Sequence, residues 1–236
     1  MSETSPNMTS IDSSKVKLSV WLQIQTLLNT INHILIGLIA VYITALANSL
    51  DFQDTAAHAF MTIIGFHVLA AEALMSHYHI NPLTNRFSNR TKSRIHGVLQ
   101  LMGGSMALLG GLGKISKTEV HFTTWHGIIG LAANFMCACS LLGGIVNFFQ
   151  PKFAHKIYSP SELKYRHNLF GMLTFMLGIT AILFGYRTQF FYKYVDAEFI
   201  PVISFTTIVV AILTMISPIK SLLDKRKYRN KSKAKN

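Results

Sequence analysis

Six long apolar runs, at roughly 26–48, 55–76, 95–113, 123–148, 167–187 and 198–219, alternate with shorter polar stretches along the chain. Each run is about 20 residues, the length a helix rising about 1.5 Å per residue needs to cross about 30 Å of hydrocarbon. The pattern predicts an all-α fold, a six-helix transmembrane bundle that leaves no room for a separate soluble domain. Residues 1–19 are expected as an amino-terminal segment, 20–220 as the membrane domain and 221–236 as a basic tail. The polar start MSETSPNMTS lacks a basic leader, so no cleaved signal is expected. Composition agrees with the bilayer: only 14% of the 236 residues are charged, against about 25% in soluble domains.

Charge sets the orientation. An even number of spans places both termini on one side, and that side collects 18 of the 22 basic residues. They are Lys15, Lys17, Arg86, Arg90, Lys92, Arg94, Lys152, Lys156, Lys164 and Arg166, then eight in the tail from Lys220 to Lys235. Lys114, Lys117, Arg187 and Lys193 are left for the other face, beside Asp51, Asp54, Glu119, Asp196 and Glu198. The basic face is therefore expected in the cytoplasm, with both termini. The net charge of +12 follows from topology and attraction to anionic lipid, and needs no nucleic-acid partner. Glycosylation patterns at Asn7, Asn89 and Asn230 all fall on this side, where they stay unmodified.

Against this background four histidines stand out. His58, His96, His126 and His167 each lie near the start of a separate span, from the second to the fifth. An ionisable side chain at membrane depth is costly and is usually there for function. Chain direction alternates, so His58 and His126 share the outer half while His96 and His167 share the inner half. Paired imidazoles in an apolar bundle suit haem iron, which predicts a four-helix haem-binding core with irons about 20 Å apart. Helical phase supports this. At 100° per residue, His126 shares its face with Gly130, Ala133, Cys137, Ser140 and Gly144, and His167 with Gly171, Thr174, Gly178, Ala181 and Gly185. The His96 face carries Gln100, Gly103, Ala107 and Gly110; the His58 face carries Thr62, Gly65, Leu69, Glu72 and Ser76. Small residues favour close helix packing in membranes anyway, but packing alone does not explain why the stripes run through the histidines.

The segments DTAAHAFMTIIGFHVLAAEALM, RIHGVLQ, HFTTWHGIIGL and KYRHNLFG resemble the four histidine regions of the cytochrome b561 family. The likeness spans about residues 20–220 and is greatest to the short animal branch that consists of the membrane core alone. It implies two non-covalent haem b groups, one between His58 and His126 on the outer side and one between His96 and His167 on the cytoplasmic side. It also implies transmembrane electron transfer from cytoplasmic ascorbate to monodehydroascorbate or ferric iron (Fe3+) outside, that is, an ascorbate-dependent oxidoreductase. An endomembrane, endoplasmic reticulum or vesicle, is the location this suggests, and a homodimer stays open.

Ascorbate is an anion at neutral pH, so basic residues serve as its docking candidates. Arg90 and Arg94 stand six and two residues before His96 and resemble the ascorbate-contacting lysines of plant members; Arg166 neighbours them by topology. Lys92 and Lys164 read as positive-inside bias. The arginine-rich motif that ends the second span in plant and vesicle members is replaced here by HVLAAEALMSHYH. On the outer face His121 is a candidate for proton transfer or acceptor binding, and Asp51 and Asp54 for attracting ferric iron. Glu72 is a candidate for proton coupling, protonated or paired with Arg94. His67 reads as a packed or hydrogen-bonded residue, His33 as a hydrogen-bonding one, and His77, His79 and His155 as solvated. Cys137 and Cys139 form neither a disulfide nor a CxxCH attachment. Two rival readings are a histidine-lined metal-ion transporter and a quinol-linked cytochrome b subunit. Transporter sites cluster at the midplane beside broken helices, and quinol-linked subunits commonly place two ligands on one helix; neither pattern occurs here.

Overall fold

The computed structural model describes residues 13–149 and 159–233, with side chains for 20–149 and 159–227. Lys152, Lys156, His155, Asn7, Asn230 and the last basic residues of the tail lie outside the described side chains. Among the described residues all regular structure is helical: α1 Ser13–Ser49, α2 Asp54–Met75, α3 Asn89–Ser116, α4 Trp125–Phe149, α5 Pro160–Gly185, the short α6 Gln189–Tyr194, and α7 Phe199–Lys233. Six of them are long and apolar enough to cross a membrane.

Several helices outrun their hydrophobic stretches at the basic end. The Ser88 hydroxyl accepts from the Thr91 N–H, and the Ser159 hydroxyl accepts from the Glu162 N–H. Each serine caps orphan backbone donors, and Pro160 and Glu162 suit a first helical turn. His96 and His167 therefore sit in the second to third turn of their helices rather than at the start. At the other end of the chain, α7 runs through Pro218 and the basic stretch to Lys233.

Helix α2 is not uniform. Its middle, Ile63–Ala70, is a π-helix, whose wider turn takes up an extra residue and rotates everything beyond it. Glycines let α2 meet α3 backbone to backbone. A Cβ on Gly65 would lie 2.6 Å from the Gly103 carbonyl oxygen, and one on Gly103 would lie 2.8 Å from the Gly65 oxygen. Small residues four apart, Gly103 and Ala107, build this contact in the manner common to membrane helices.

Helices α2, α3, α4 and α5 pack in a ring, each touching the next, while α1 and α7 pair with each other and cover α2 and α5. The core of this second layer holds Ile36, Ile43, Phe175, Ile179 and Val210. Some polar groups in the seam pair with one another: Asn32 donates to Thr214 Oγ1 at 3.0 Å, and the Tyr186 and Thr207 hydroxyls lie 3.2 Å apart. Large apolar residues such as Leu38, Leu109 and Phe135 point outward, the surface a lipid-facing bundle requires.

Candidate functional site

The ring of four helices brings the four histidines together in two pairs. The rings of His58 (α2) and His126 (α4) have centroids 5.9 Å apart at 76°, and those of His96 (α3) and His167 (α5) are 6.2 Å apart at 87°. Along α3, His96 is 14 residues from Gly110, which contacts His58, so the two levels are about 21 Å apart. The sequence-predicted partners are thus the ones that meet.

Three of the rings are oriented by backbone carbonyls. His58 Nδ1 lies 2.9 Å from the Gly110 oxygen, His96 Nδ1 2.9 Å from the Ala73 oxygen and His126 Nδ1 2.9 Å from the Ala181 oxygen. A carbonyl can only accept, so Nδ1 carries a proton, and in the neutral ring Nε2 then keeps its lone pair. This is the tautomer and the outer hydrogen bond that metal-ligating imidazoles commonly have. The acceptors stand at Gly or Ala, where no side chain shields the carbonyl. Gly110 and Ala181 are the i+14 positions of the His96 and His167 stripes. On α2 the corresponding acceptor is Ala73, one residue beyond i+14, because the π segment supplies the extra residue. Glycines also crowd the rings: a Cβ on Gly185 would lie 3.1 Å from His126, and one on Gly144 3.4 Å from His167.

A metal held in trans by two imidazole nitrogens at about 2.0–2.1 Å each sets the ring centres about 6 Å apart. Both pairs meet that spacing. Among the described residues no three His, Cys, Asp or Glu side chains converge on one point. Two protein ligands suit an iron whose other four donors come from a macrocycle, and are too few for a bare ion. The residues present therefore fit axial ligation of haem. Small side chains, Gly103, Gly104, Cys137, Ser140, Gly171 and Thr174, line a void between the helices just inside the His96 pair. Cys137 and Cys139 are free.

Other candidates fall differently. Glu72 was expected on the His58 face and near Arg94. It instead bonds His33 Nδ1 at 2.7 Å, with His33 Nε2 3.3 Å from Asn81 Oδ1. The π segment rotates Glu72 away from the ring of four toward α1. Arg90, Arg94 and Arg166 are exposed at the basic end, and Arg166 bonds Glu162 at 2.9 Å. His121 is exposed beside Phe122, and Asp54 pairs with Lys117. His67 is fully buried, and neither ring nitrogen has a hydrogen-bond partner among the described residues. His77 is exposed at its edge, yet its ring lies 5.7 Å from that of His96. Desolvation first, then His96, Lys225 and Lys92, push its pKa down to about 4. Lys92, read from the sequence as part of the charge bias, is buried. The signal for it was its position, one turn before His96 on the same stripe.

A family model for eukaryotic cytochrome b561 matches residues 57–193. Among curated relatives, the bovine (Bos taurus) protein named "Transmembrane reductase CYB561D2" is 31% identical over 138 residues, 57% of this chain and 61% of the relative. The mouse (Mus musculus) and human (Homo sapiens) proteins of the same name are each 30% identical over the same lengths. The match thus spans about three fifths of these relatives.

Proposed function

The chain belongs to the eukaryotic cytochrome b561 family, a family of haem proteins, and from that premise we propose that it carries electrons across a membrane between two haems. His58 with His126 would hold one, and His96 with His167 the other. The observation that carries this reading is the pair of facing imidazoles at each end, with ring centres 5.9 and 6.2 Å apart. When bound, each haem would supply a one-electron iron couple, the chemistry that electron transfer needs.

The chain's own residues do the rest. The carbonyls of Gly110, Ala73 and Ala181 hold Nδ1–H and so fix the orientation and basicity of three ligands. The apolar ring of helices excludes water. At the basic end, taken as cytoplasmic by the distribution of Lys and Arg, exposed Arg90, Arg94 and Arg166 attract an anionic donor, read as ascorbate. The donor gives up one electron and a proton, and the acceptor at the opposite end, monodehydroascorbate or Fe3+, gains one electron. His121 stands at that end as a proton or acceptor group. The partly buried Glu72–His33 pair is the candidate for proton coupling. An endomembrane location is part of the same reading.

The test is a pyridine haemochrome assay and visible spectrum of purified protein. Two protohaem equivalents and reduction by ascorbate are expected. His96→Ala and His126→Ala should each remove one equivalent and stop transmembrane flow. A well-folded wild type with no haem or one, or a colourless protein that takes up zinc, would overturn the reading.

A further inference from the structure

Phe66 lies buried in the π segment of α2. Its ring crosses the bundle to α5 and rests on Gly178, where any Cβ would run into the ring. The residue before it, Gly65, meets α3 at Gly103 and Ala107. Consecutive residues of one wide turn thus serve two neighbours: Gly65 closes α2 on α3, and Phe66 reaches α5. Turns of this kind are frequent at functional sites.

The His167 stripe of α5 fixes where the ring stands. After His167 come Gly171 and Thr174, which line the void just inside the His96 pair. Gly178 follows and seats Phe66. Ala181 and Gly185 come last, and both meet the His126 ring. Phe66 also lines the void. Along α5, Gly178 is about 16 Å beyond His167 and about 4.5 Å short of Ala181, from eleven and three residues. The ring therefore closes the void on the side of the outer pair and stands between the two histidine levels. Glycine at 178 is what admits it.

We propose that Phe66 bridges the two haem sites, its packed ring carrying the electronic coupling from the inner iron to the outer one. The inference rests on the di-haem reading and adds to it a route. One electron moves: the inner iron goes from ferrous to ferric and the outer from ferric to ferrous. No bond forms or breaks, no proton moves, and the ring keeps its own electrons. Tunnelling falls off more steeply across an empty gap than through atoms in van der Waals contact. A side chain that fills the gap thus sets the rate without setting either potential.

The test compares purified holoprotein of wild type, Phe66→Ala, Phe66→Leu and Ile179→Ala. Truncation of a buried side chain leaves a cavity, because the surroundings relax only in part. Ile179→Ala opens one beside Gly178, in the second-layer core. Haem content and half-reduction potentials are measured first, then redistribution of one photochemically injected electron between the two haems. Both Phe66 variants should keep both haems at wild-type potentials. Redistribution should slow severalfold in Phe66→Ala and less in Phe66→Leu, and hold the wild-type rate in Ile179→Ala. Unmoved rates in both Phe66 variants, or equal slowing in Ile179→Ala, would overturn the proposal. So would loss of a haem from both Phe66 variants, which would make the ring the wall of one pocket.

The seat itself is read without electron transfer, from helix melting followed by circular dichroism. Gly178→Ala should lower the melting temperature of wild type more than that of Phe66→Ala, which has no ring for the new Cβ to meet. Equal losses in the two backgrounds would also overturn the proposal. Wild type holding fewer than two haems would instead remove the underlying reading, an outcome separate from these.

Discussion

His67 shows how a membrane histidine can be buried without being a ligand. Its imidazole is fully buried in the π segment of α2, and both nitrogens lack partners among the described residues. A buried polar group left unsatisfied costs about 1–3 kcal/mol. Replacing it by an apolar side chain of similar volume removes that cost without opening a cavity. His67→Leu is therefore expected to retain both haems and to raise stability by about 1 kcal/mol, read as a higher melting temperature of the Soret band. A fall of several degrees would mean that the ring has a partner it needs. The four ligand candidates were legible in the sequence because each is an ionisable group at the boundary of its own span. Lys92 was not, because a lysine near the cytoplasmic boundary looks like topology whether it is solvated or buried. Only its register with His96 sets it apart from Arg94, two residues on and exposed.

Helix phase carried the reading of the elements most of the way. It identified the Gly and Ala stripes of α3 and α5, and the structure uses those stripes to expose carbonyls to the histidines of neighbouring helices. Phase failed on α2, where a 100° step assumes an α-helix throughout. The π segment Ile63–Ala70 takes one extra residue, so Ala73 replaces Glu72 on the inner face. Glu72 turns to His33, a pairing that hydropathy cannot see. The caps at Ser88 and Ser159 were likewise missed, since helix beyond the apolar run leaves no hydrophobic trace. The backbone-to-backbone contact of α2 with α3 also yields a prediction. Gly65 and Gly103 place α2 and α3 in direct backbone contact, and these two helices exchange the His58–Gly110 and His96–Ala73 hydrogen bonds. Gly103→Val must push the helices apart, at about 1–3 kcal/mol for overpacking. Because both exchanged bonds cross that interface, both haems should be affected. Haem content and the spectrum of each centre are the readout, and selective loss of one would show that the two bonds are independent of helix spacing.

For the molecule as a whole, direction is the property on which the proposed function turns: an electron carrier with two centres would be useful only if its ends face different compartments. Exposed Asn85 lies between α2 and α3 at the basic end, and exposed Thr123 lies between α3 and α4 at the other. The native cysteines interfere little, since Cys137 is buried and Cys139 lies within α4. In sealed vesicles with the cytoplasmic face outward, Asn85→Cys should react with a membrane-impermeant maleimide, and Thr123→Cys only after permeabilisation. The same vesicles test function in one step. Ascorbate supplied on the Asn85 side should reduce both haems and, through them, a ferric chelate sealed on the Thr123 side. His126→Ala should leave the haem nearer the donor reducible while abolishing reduction of the chelate, because the second centre of the roughly 21 Å path is gone. Labelling in the reverse order would invert the orientation derived from Lys and Arg. Chelate reduction persisting in His126→Ala would mean that electrons cross by a route that does not use the outer pair.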